Sequence, residues 1–206
     1  MILDYRHPEA VPRAIAALQL GQVFVYPTDT LYGFGADAAS LTGIRNVEEL
    51  KKRPAQTPFS LLVHDLAMLK KYARVSNLTA RLAKLFLPGA LTLVLPAIRG
   101  KVPDVLYSEG NYLGFRISGH PFCRELTANY PRPVLSTSVN ISGQKALNRI
   151  REIEMQFASG VELMIADSDL DRRPHPAGST VIRIDDAGRI SLLREGSIPF
   201  AEILKV

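Results

Sequence analysis

The hydrophobic and polar positions of the chain follow two different periods, which predicts helices interleaved with strands. Apolar residues spaced by three and four mark amphipathic helices. They occur over residues 9–20, 41–52, 121–130 and 149–158. Short runs of β-branched, aromatic and leucine residues predict buried strands. These runs cover residues 22–27, 59–63, 91–96, 113–117, 133–138, 162–166, 179–185 and 189–195.

Several residues help to define where helices begin. Asp65, Ser76 and Ser197 stand where a side-chain oxygen can cap the first turn of a helix. Pro121 suits the first position of the helix over 121–130, because its missing N–H has no partner there anyway. Two segments that follow neither period are predicted to be loops. They are residues 28–38 and 167–178.

The order of these elements predicts an α/β fold. Helices and strands alternate through most of the chain, and the last two strands suit an antiparallel hairpin. We therefore expect a twisted mixed sheet with flanking helices, parallel in part and antiparallel at its end. No internal repeat or shift in composition marks a linker, so residues 1–206 are expected to form a single domain.

Gly33, Gly35 and Ala38 match the G-x-G-x-x-A pattern of a dinucleotide-binding loop, but their context does not. That loop needs its first glycine at the turn from strand to helix, whereas residues 28–32 separate Gly33 from the preceding strand. The sequence therefore favours a loop whose glycines allow positive φ or a close approach of the backbone.

Composition and charge narrow the class of protein. Of 206 residues 47% are hydrophobic, and no apolar run approaches the ~20 residues that span a bilayer. The N-terminal "MILDYRHPEA" lacks a signal-peptide core, and the single cysteine excludes an internal disulfide, so we expect a cytoplasmic protein without membrane contact. The four histidines are far apart in sequence, so no metal site is predicted. The net charge of +5 favours anionic partners such as nucleotides, phosphates or RNA.

The stretch "LSTSVNISG" ends a buried strand in hydroxyls and an amide. Residues two apart share a face of a strand, so Ser136, Ser138 and Asn140 are expected to point one way, and Thr137 and Val139 the other. Ligands bind at strand ends in α/β sheets, where such groups can hydrogen-bond a nucleotide or a phosphate. The same residues also form local turns and caps, so both interpretations stay open.

Lys51, Lys52 and Arg53 close the predicted helix over 41–52. Cations at a helix C-terminus complement the dipole and face water, for about 0.3–1 kcal/mol of stability. Because Pro54 ends the helix, Lys51 and Arg53 could instead straddle its end and reach one anion in a neighbouring cleft. The sequence leaves both possibilities open.

Seven sequence blocks, in order, together resemble one family, and they extend over nearly the whole chain. The chain is similar to the YrdC-like family, the threonylcarbamoyl-adenylate synthases, which has a related YciO-like branch. The blocks are "VYPTDTLYGFGADA" (25–38), "KKRP" (51–54) before "PFSLLV", "LPGALTLVL" (87–95), "GFRISGHP" (114–121), "STSVNISG" (136–143), "STVIRI" (179–184) and "LLREGSI" (192–198).

The resemblance implies a fold and an activity. The fold is a twisted α/β sheet with a concave basic cleft. The activity joins L-threonine, bicarbonate and ATP into threonylcarbamoyl-adenylate with release of pyrophosphate, and Mg²⁺ suits the triphosphate. Partner proteins then transfer the threonylcarbamoyl group to the tRNA adenosine beside the anticodon, and tRNA contact is possible. The alternative is a YciO-type module that binds nucleotide or RNA without synthase activity.

The resemblance also implies roles for individual residues. Thr30 resembles a threonine-site residue, and Arg116 a partner of the threonine carboxylate. The catalytic candidates fall on the Lys-x-Arg and Ser-x-Asn elements, which are Lys51, Arg53, Ser138 and Asn140. The nucleotide-site candidates are Lys51, Arg53, Thr57, Tyr112, Ser136, Ser138, Asn140 and Arg194.

The chain departs from the family pattern at four positions. Ser118 stands where the family usually has proline, and Glu195 where it often has proline. Thr57 replaces a more common Asn or Lys, and Thr137 stands where many members have proline. None of these departures touches the Lys-x-Arg or Ser-x-Asn elements, so an active enzyme is favoured over a binding module.

Overall fold

One mixed sheet organises the computed structural model of this protein, which describes residues 1–53, 59–174 and 177–206. Its strands, in chain order, are β1 Ile2–Asp4, β2 Phe24–Pro27, β3 Tyr32–Asp37, β4 Ser60–Leu62, β5 Leu91–Pro96, β6 Tyr112–Arg116, β7 Val134–Ser138, β8 Leu163–Ala166, β9 Thr180–Ile184 and β10 Ile190–Arg194. They lie in the order β1-β8-β2-β3-β7-β4-β6-β5-β9-β10. Four neighbouring pairs are parallel, and β9 with β10 forms an antiparallel hairpin, so the predicted fold class is confirmed.

Helices fill the connections between most strands. They are α1 Ala10–Gln19, α2 Leu41–Lys51, α3 Leu66–Leu69, α4 Asn77–Phe86, α5 Pro121–Asn129, α6 Ile150–Phe157, α7 Ser168–Asp171 and α8 Phe200–Ile203. The predicted caps Asp65 and Ser76 accept from Met68 N and Thr79 N, and Pro121 begins α5. None of the helices within the described ranges is long and apolar enough to cross a membrane.

The two faces of the sheet are covered differently. One face carries Phe34, Leu61 and Phe115, which are fully buried in a core shared with α2, α4 and α6. The opposite face is covered around β2 by α1 and α5, in a second core that includes Tyr26 and Leu62. This second core does not extend to β5 and β9, so helices leave part of that face uncovered.

The uncovered part of the sheet is floored by small and polar residues. Strand register places Ser136 beside Ser60, Ser60 beside Gly114, Gly114 beside Val94, and Val94 beside Arg183. Residues opposite each other in register lie on the same face. A row with two serines and a glycine raises little bulk above the sheet, so it leaves room for a cleft.

The loop predicted over residues 28–38 is wrong for its second half, which forms β3. All six residues of β3 are buried, and the strand pairs with both β2 and β7. The sequence did not predict this strand because it contains Gly33 and Gly35, and glycine has a low intrinsic preference for strands. A Cβ on Gly35 would lie 2.6 Å from Phe24 Cζ, so close packing explains this glycine, and neither Gly33 nor Gly35 has positive φ.

Three other expectations need correction. The loop predicted over 167–178 contains α7, whose first turn Asp167 caps by accepting from Asp169 N. Ser197 does not cap the last helix, which begins at Phe200; its Oγ donates to Ala177 O instead. Strand β1 was not predicted, because three residues are too few to show an alternating pattern. It forms a strand through its parallel pairing with β8.

Candidate active site

A cavity of about 760 Å³ lies on the uncovered part of the sheet. Its lining includes the row that joins Ser136 to Arg183 across β7, β4, β6, β5 and β9. Eight predicted site residues also line it, namely Thr30, Lys51, Arg53, Arg116, Ser136, Ser138, Asn140 and Arg194. Of the remaining two, Thr57 lies outside the described residues, and Tyr112 is not among the residues that line the cavity.

Lys51 is buried at the end of α2, with only 2% of the residue exposed. Its Nζ donates to Ser138 O at 2.6 Å, to Asn140 O at 3.1 Å and to Asn140 Oδ1 at 2.8 Å. Ser142 N in turn donates to Lys51 O at 2.7 Å. The interpretation of Lys51 as a solvated partner of the helix dipole is therefore wrong, because its ammonium joins the end of α2 to the end of β7.

The environment of Lys51 opposes its charge. Burial, and secondarily the nearby Arg53 guanidinium, lower the pKa of Lys51 from 10.5 to about 7. An ammonium has three hydrogens, and three oxygens already accept from this one. Lys51 therefore offers an anion in the cavity mainly its charge, and a bound anion would raise its pKa.

Asn140 takes part in both roles that its sequence allowed. Its Nδ2 donates to Ile141 O at 2.8 Å and Gln144 O at 2.9 Å, which is the local turn role. Its Oδ1 accepts from Lys51 and, at 2.7 Å, from Ser138 Oγ. The amide therefore holds the chain after β7 in a fixed shape while Asn140 and Ser138 line the cavity.

Two further side chains at this end of the cavity, those of Arg53 and Ser136, contact aromatic residues. Arg53 Cζ lies 4.4 Å from the centroid of the Phe59 ring, and Arg53 Nη1 approaches Thr137 Oγ1 at 3.4 Å. Burial lowers the pKa of the Arg53 guanidinium. Ser136 Oγ accepts from the hydroxyl of buried Tyr26 at 2.7 Å. Thr137 pairs with Phe34 on the other face of the sheet, as expected, and it still contributes to the lining of the cavity at the end of β7.

Arg116 and Thr30 form a second polar cluster in the cavity. Arg116 Nη2 donates to Asp29 Oδ1 at 2.9 Å and to Thr30 Oγ1 at 2.7 Å. The Arg116 side chain is 9% exposed, and its buried Nε has no hydrogen-bond partner among the described residues. An unsatisfied buried donor costs about 1–3 kcal/mol. Because Nη1 lies on the Cδ side of the guanidinium, it forms no fork with Nε, so Arg116 suits a carboxylate through its positive charge and through Nη1.

Arg194 approaches the same part of the cavity from β10. Its Nη2 donates to Ser179 O at 2.9 Å, and Ser179 Oγ shares a 2.7 Å hydrogen bond with Thr92 Oγ1. Burial, followed by repulsion from Arg116, lowers the pKa of Arg194. Two guanidinium groups that repel each other favour an anion between them.

Sequence reasoning missed three residues of the site. Arg183 lines the cavity, and its Cζ lies 5.6 Å from the centroid of the Tyr112 ring, so Tyr112 contacts a lining residue. Thr92 lies in an otherwise apolar strand, and its polar side chain was the one signal in the sequence. Asp29 lies in the "PTDT" block, but nothing in that block indicated its contact with Arg116.

The charges of the cavity are mostly positive. Its described lining carries one carboxylate, Glu109, against five cations, which are Lys51, Arg53, Arg116, Arg183 and Arg194. Across the described part of the chain, no group of three or more His, Cys, Asp or Glu side chains is placed to hold a metal ion. The arrangement is suited to binding a polyanion together with a carboxylate.

Comparison with known proteins identifies the family of this chain. A Sua5/YciO/YrdC family model, described as "Telomere recombination", matches residues 16–196. The threonylcarbamoyl-AMP synthase of Klebsiella pneumoniae is 32% identical over 91% of this chain and 96% of its own.

Two solved structures are similar along almost the whole chain. P. abyssi Sua5 complexed with L-threonine is 30% identical with a TM-score of 0.85, over 95% of this chain and 56% of its own, so this chain spans little more than half of that protein. E. coli YciO is 26% identical with a TM-score of 0.84, over 97% of this chain and 95% of its own. With a family model that covers most of its length and a full-length relative above 30% identity, this protein belongs to the Sua5/YciO/YrdC family.

Proposed function

We propose that this protein is an L-threonylcarbamoyladenylate synthase. The observation that carries the proposal is the buried Arg116 guanidinium, which Asp29 and Thr30 hold through Nη2 in one cavity with Lys51, Arg53 and Arg194. A carboxylate site beside a cationic site is what a reaction between an amino acid and a nucleoside triphosphate requires. Relatives that carry the synthase name, and a relative complexed with L-threonine, support the same activity.

Threonine is proposed to bind at Arg116. Its carboxylate would accept from Nη1, because Asp29 and Thr30 already occupy Nη2 and Nε is buried. Its amine then forms an N–C bond to the carbon of bicarbonate, with loss of one water overall, and gives a carbamate. Holding the amine and the carbon source together supplies much of the rate, because a bimolecular step becomes effectively unimolecular.

ATP is proposed to lie over Lys51, Arg53 and the end of β7. A carbamate oxygen attacks the α-phosphorus, the bond to the bridging oxygen of the β-phosphate breaks, and pyrophosphate leaves. Overall, threonine, bicarbonate and ATP give threonylcarbamoyl-adenylate, pyrophosphate and water. The step needs positioning and charge stabilisation rather than a protein nucleophile. Lys51 and Arg53 are proposed to stabilise the phosphoryl charge, and Ser136 and Ser138 to hydrogen-bond the nucleotide.

Mg²⁺ is proposed to accompany the phosphates of ATP. The described lining of the cavity fits a protein-held Mg²⁺ poorly, because Glu109 is its one carboxylate. Mg²⁺ is commonly bound by one or two carboxylates together with substrate phosphates, so the nucleotide would supply most of the ligands.

The product implies partners and a location. A mixed anhydride of a carbamate and a phosphate is a labile acyl donor, so a transfer protein must collect it promptly. We propose that such proteins pass the threonylcarbamoyl group to a tRNA adenosine in the cytoplasm. Contact between this protein and the tRNA belongs to the same proposal.

The alternative function is a YciO-type module that binds nucleotide or RNA without making the adenylate. The similarity of this chain to E. coli YciO is the observation that supports this alternative. The polar clusters argue for the synthase, because a module that binds only a phosphate backbone has no use for a buried guanidinium that is held in place by Asp29 and Thr30. Backbone binding would also weaken steeply with salt.

One incubation separates the two functions. Purified protein with ATP, Mg²⁺, bicarbonate and labelled L-threonine should release pyrophosphate and form a labelled adenylate that chromatography resolves. Omitting bicarbonate or threonine should abolish both products. Tight nucleotide binding without any threonine-dependent pyrophosphate would instead establish the binding module.

Threonine should be preferred over serine as a substrate. Leu31, next to Thr30, lines the cavity and offers apolar surface to the threonine methyl group. One methyl group in an apolar pocket is worth roughly 1–3 kcal/mol, or about 10- to 200-fold in kcat/KM. Pyrophosphate release measured across concentrations of each amino acid gives the ratio. Equal kcat/KM values for the two substrates would contradict this preference.

Nucleotide binding should be accompanied by proton uptake through Lys51. The pKa of free Lys51 is lowered to about 7, so much of it is neutral at pH 8. A triphosphate favours the ammonium form and raises this pKa, so binding at pH 8 takes up protons and the affinity for ATP falls as pH rises above 7. Calorimetry of ATP binding in two buffers of different ionisation enthalpy measures the uptake. Lys51→Met should abolish it, whereas identical enthalpies for the wild type in both buffers would rule it out.

A further inference from the structure

We infer that Ser118 is a positioning residue for threonine, acting through Asp29 on the guanidinium of Arg116. This inference rests on the proposed function and adds a residue to it. Ser118 stands where the family resemblance places proline, so its hydroxyl is a feature of this chain. The residue is 1% exposed, between the end of β6 and the start of α5.

The hydrogen-bond partners of Ser118 fix the direction of its hydroxyl. His120 N donates to Ser118 Oγ at 3.2 Å, and Asp29 N approaches the same oxygen at 3.4 Å. A hydroxyl has one hydrogen and two lone pairs. With backbone N–H groups on the acceptor side, the hydrogen is directed to Asp29 Oδ1, and Ser118 Oγ donates to that oxygen.

Asp29 passes this constraint to Arg116. Its Oδ1 accepts from Ser118 and from Arg116 Nη2, while Thr30 Oγ1 accepts from the same Nη2. The Asp29 side chain is 21% exposed, so without Ser118 it has room to rotate towards water. Ser118 therefore keeps the Asp29 carboxylate on Nη2, and this contact leaves Nη1 for the proposed threonine carboxylate.

This arrangement predicts an effect that is selective for threonine. Ser118→Ala should raise the KM and the dissociation constant for threonine by about tenfold, since hydrogen bonds to charged groups are among the stronger ones. The KM for ATP should stay within about twofold, because the nucleotide end of the cavity touches neither Ser118 nor Asp29. A residue with a merely structural role would shift both constants together.

The test uses full-length protein and four variants. Threonine and ATP constants are measured for Ser118→Ala, Asp29→Ala and their double mutant, with melting temperatures throughout. Ser76→Ala serves as the matched control, because Ser76 Oγ also accepts from a backbone N–H, at the start of α4. If Ser118 acts through Asp29, Ser118→Ala should have no further effect on threonine affinity in the Asp29→Ala background, and Ser76→Ala should leave that affinity unchanged.

Each contrary outcome has a distinct meaning. An unchanged threonine constant in Ser118→Ala overturns the positioning role. Parallel losses for threonine and ATP, with a fall in melting temperature like that of Ser76→Ala, also overturn it in favour of a structural role. A wild-type protein that binds no threonine overturns the proposed function itself, before any variant is compared.

Discussion

Replacing Arg116 with alanine should weaken threonine binding on the order of 10- to 100-fold while the affinity for ATP changes far less. In the proposed complex Arg116 Nη1 donates a charge-assisted hydrogen bond to the carboxylate. Each such bond carries about 1.5–3 kcal/mol, and each 1.4 kcal/mol is a factor of ten in affinity. Calorimetric titration with threonine and with ATP measures both affinities on the same preparation.

Two variants show whether the loss comes from the guanidinium. Arg116→Lys keeps a cation near Asp29 but has no planar guanidinium to hold Asp29, Thr30 and the carboxylate at once, so most of the loss should remain. Arg132→Ala is the matched control, because Arg132 also binds a carboxylate. Its guanidinium donates to Asp37 through hydrogen bonds of 2.6–3.1 Å, and neither residue lines the cavity. Wild-type threonine affinity in Arg116→Ala would place the carboxylate elsewhere.

The sequence predicted most elements of the fold because their patterns are local. Alternating apolar strands and capped helices carry their own signals, as at Ser76, whose cap is confirmed. Strand β3 was not predicted, because its glycines suggested a loop. The need for glycine comes from close packing against Phe24, which becomes a neighbour only when β2 and β3 pair. Strand β1 escaped for a similar reason, since three residues become a strand through pairing with β8.

The candidate site could be predicted as a set of residues but not as a set of contacts. Resemblance to a family named Lys51 and Arg116, and both line the cavity. It could not show that Lys51 Nζ donates a hydrogen bond to Ser138 O, 87 positions along the chain. Nor could it show that Arg116 donates to Asp29, which is also 87 positions away. Such contacts depend on which strands become neighbours in the sheet. Ser138 lies on β7 and Arg116 on β6, and the positions of these strands are set by the strand order of the whole sheet.

Replacing Lys51 with methionine should lower the rate of threonine-dependent pyrophosphate release by roughly 100-fold while threonine affinity stays near wild type. The variant removes a positive charge from a partly desolvated cavity, where one charged hydrogen-bonding group contributes about 1.5–3 kcal/mol, and it also releases Asn140. Asn140→Ala should lower turnover as well, because Asn140 Oδ1 joins Lys51 to Ser138 Oγ. A continuous pyrophosphate assay gives kcat and both KM values.

The burial of Lys51 changes what its loss should do to stability. A solvated helix-end cation contributes about 0.3–1 kcal/mol. Methionine instead leaves Ser138 O and Asn140 O without their donor, which costs about 1–3 kcal/mol in the free energy of unfolding. Lys52→Met is the matched control, because the neighbouring Lys52 is exposed and ends α2. Turnover lost equally in both variants would point to helix stability, and turnover retained in Lys51→Met would favour the binding module over the synthase.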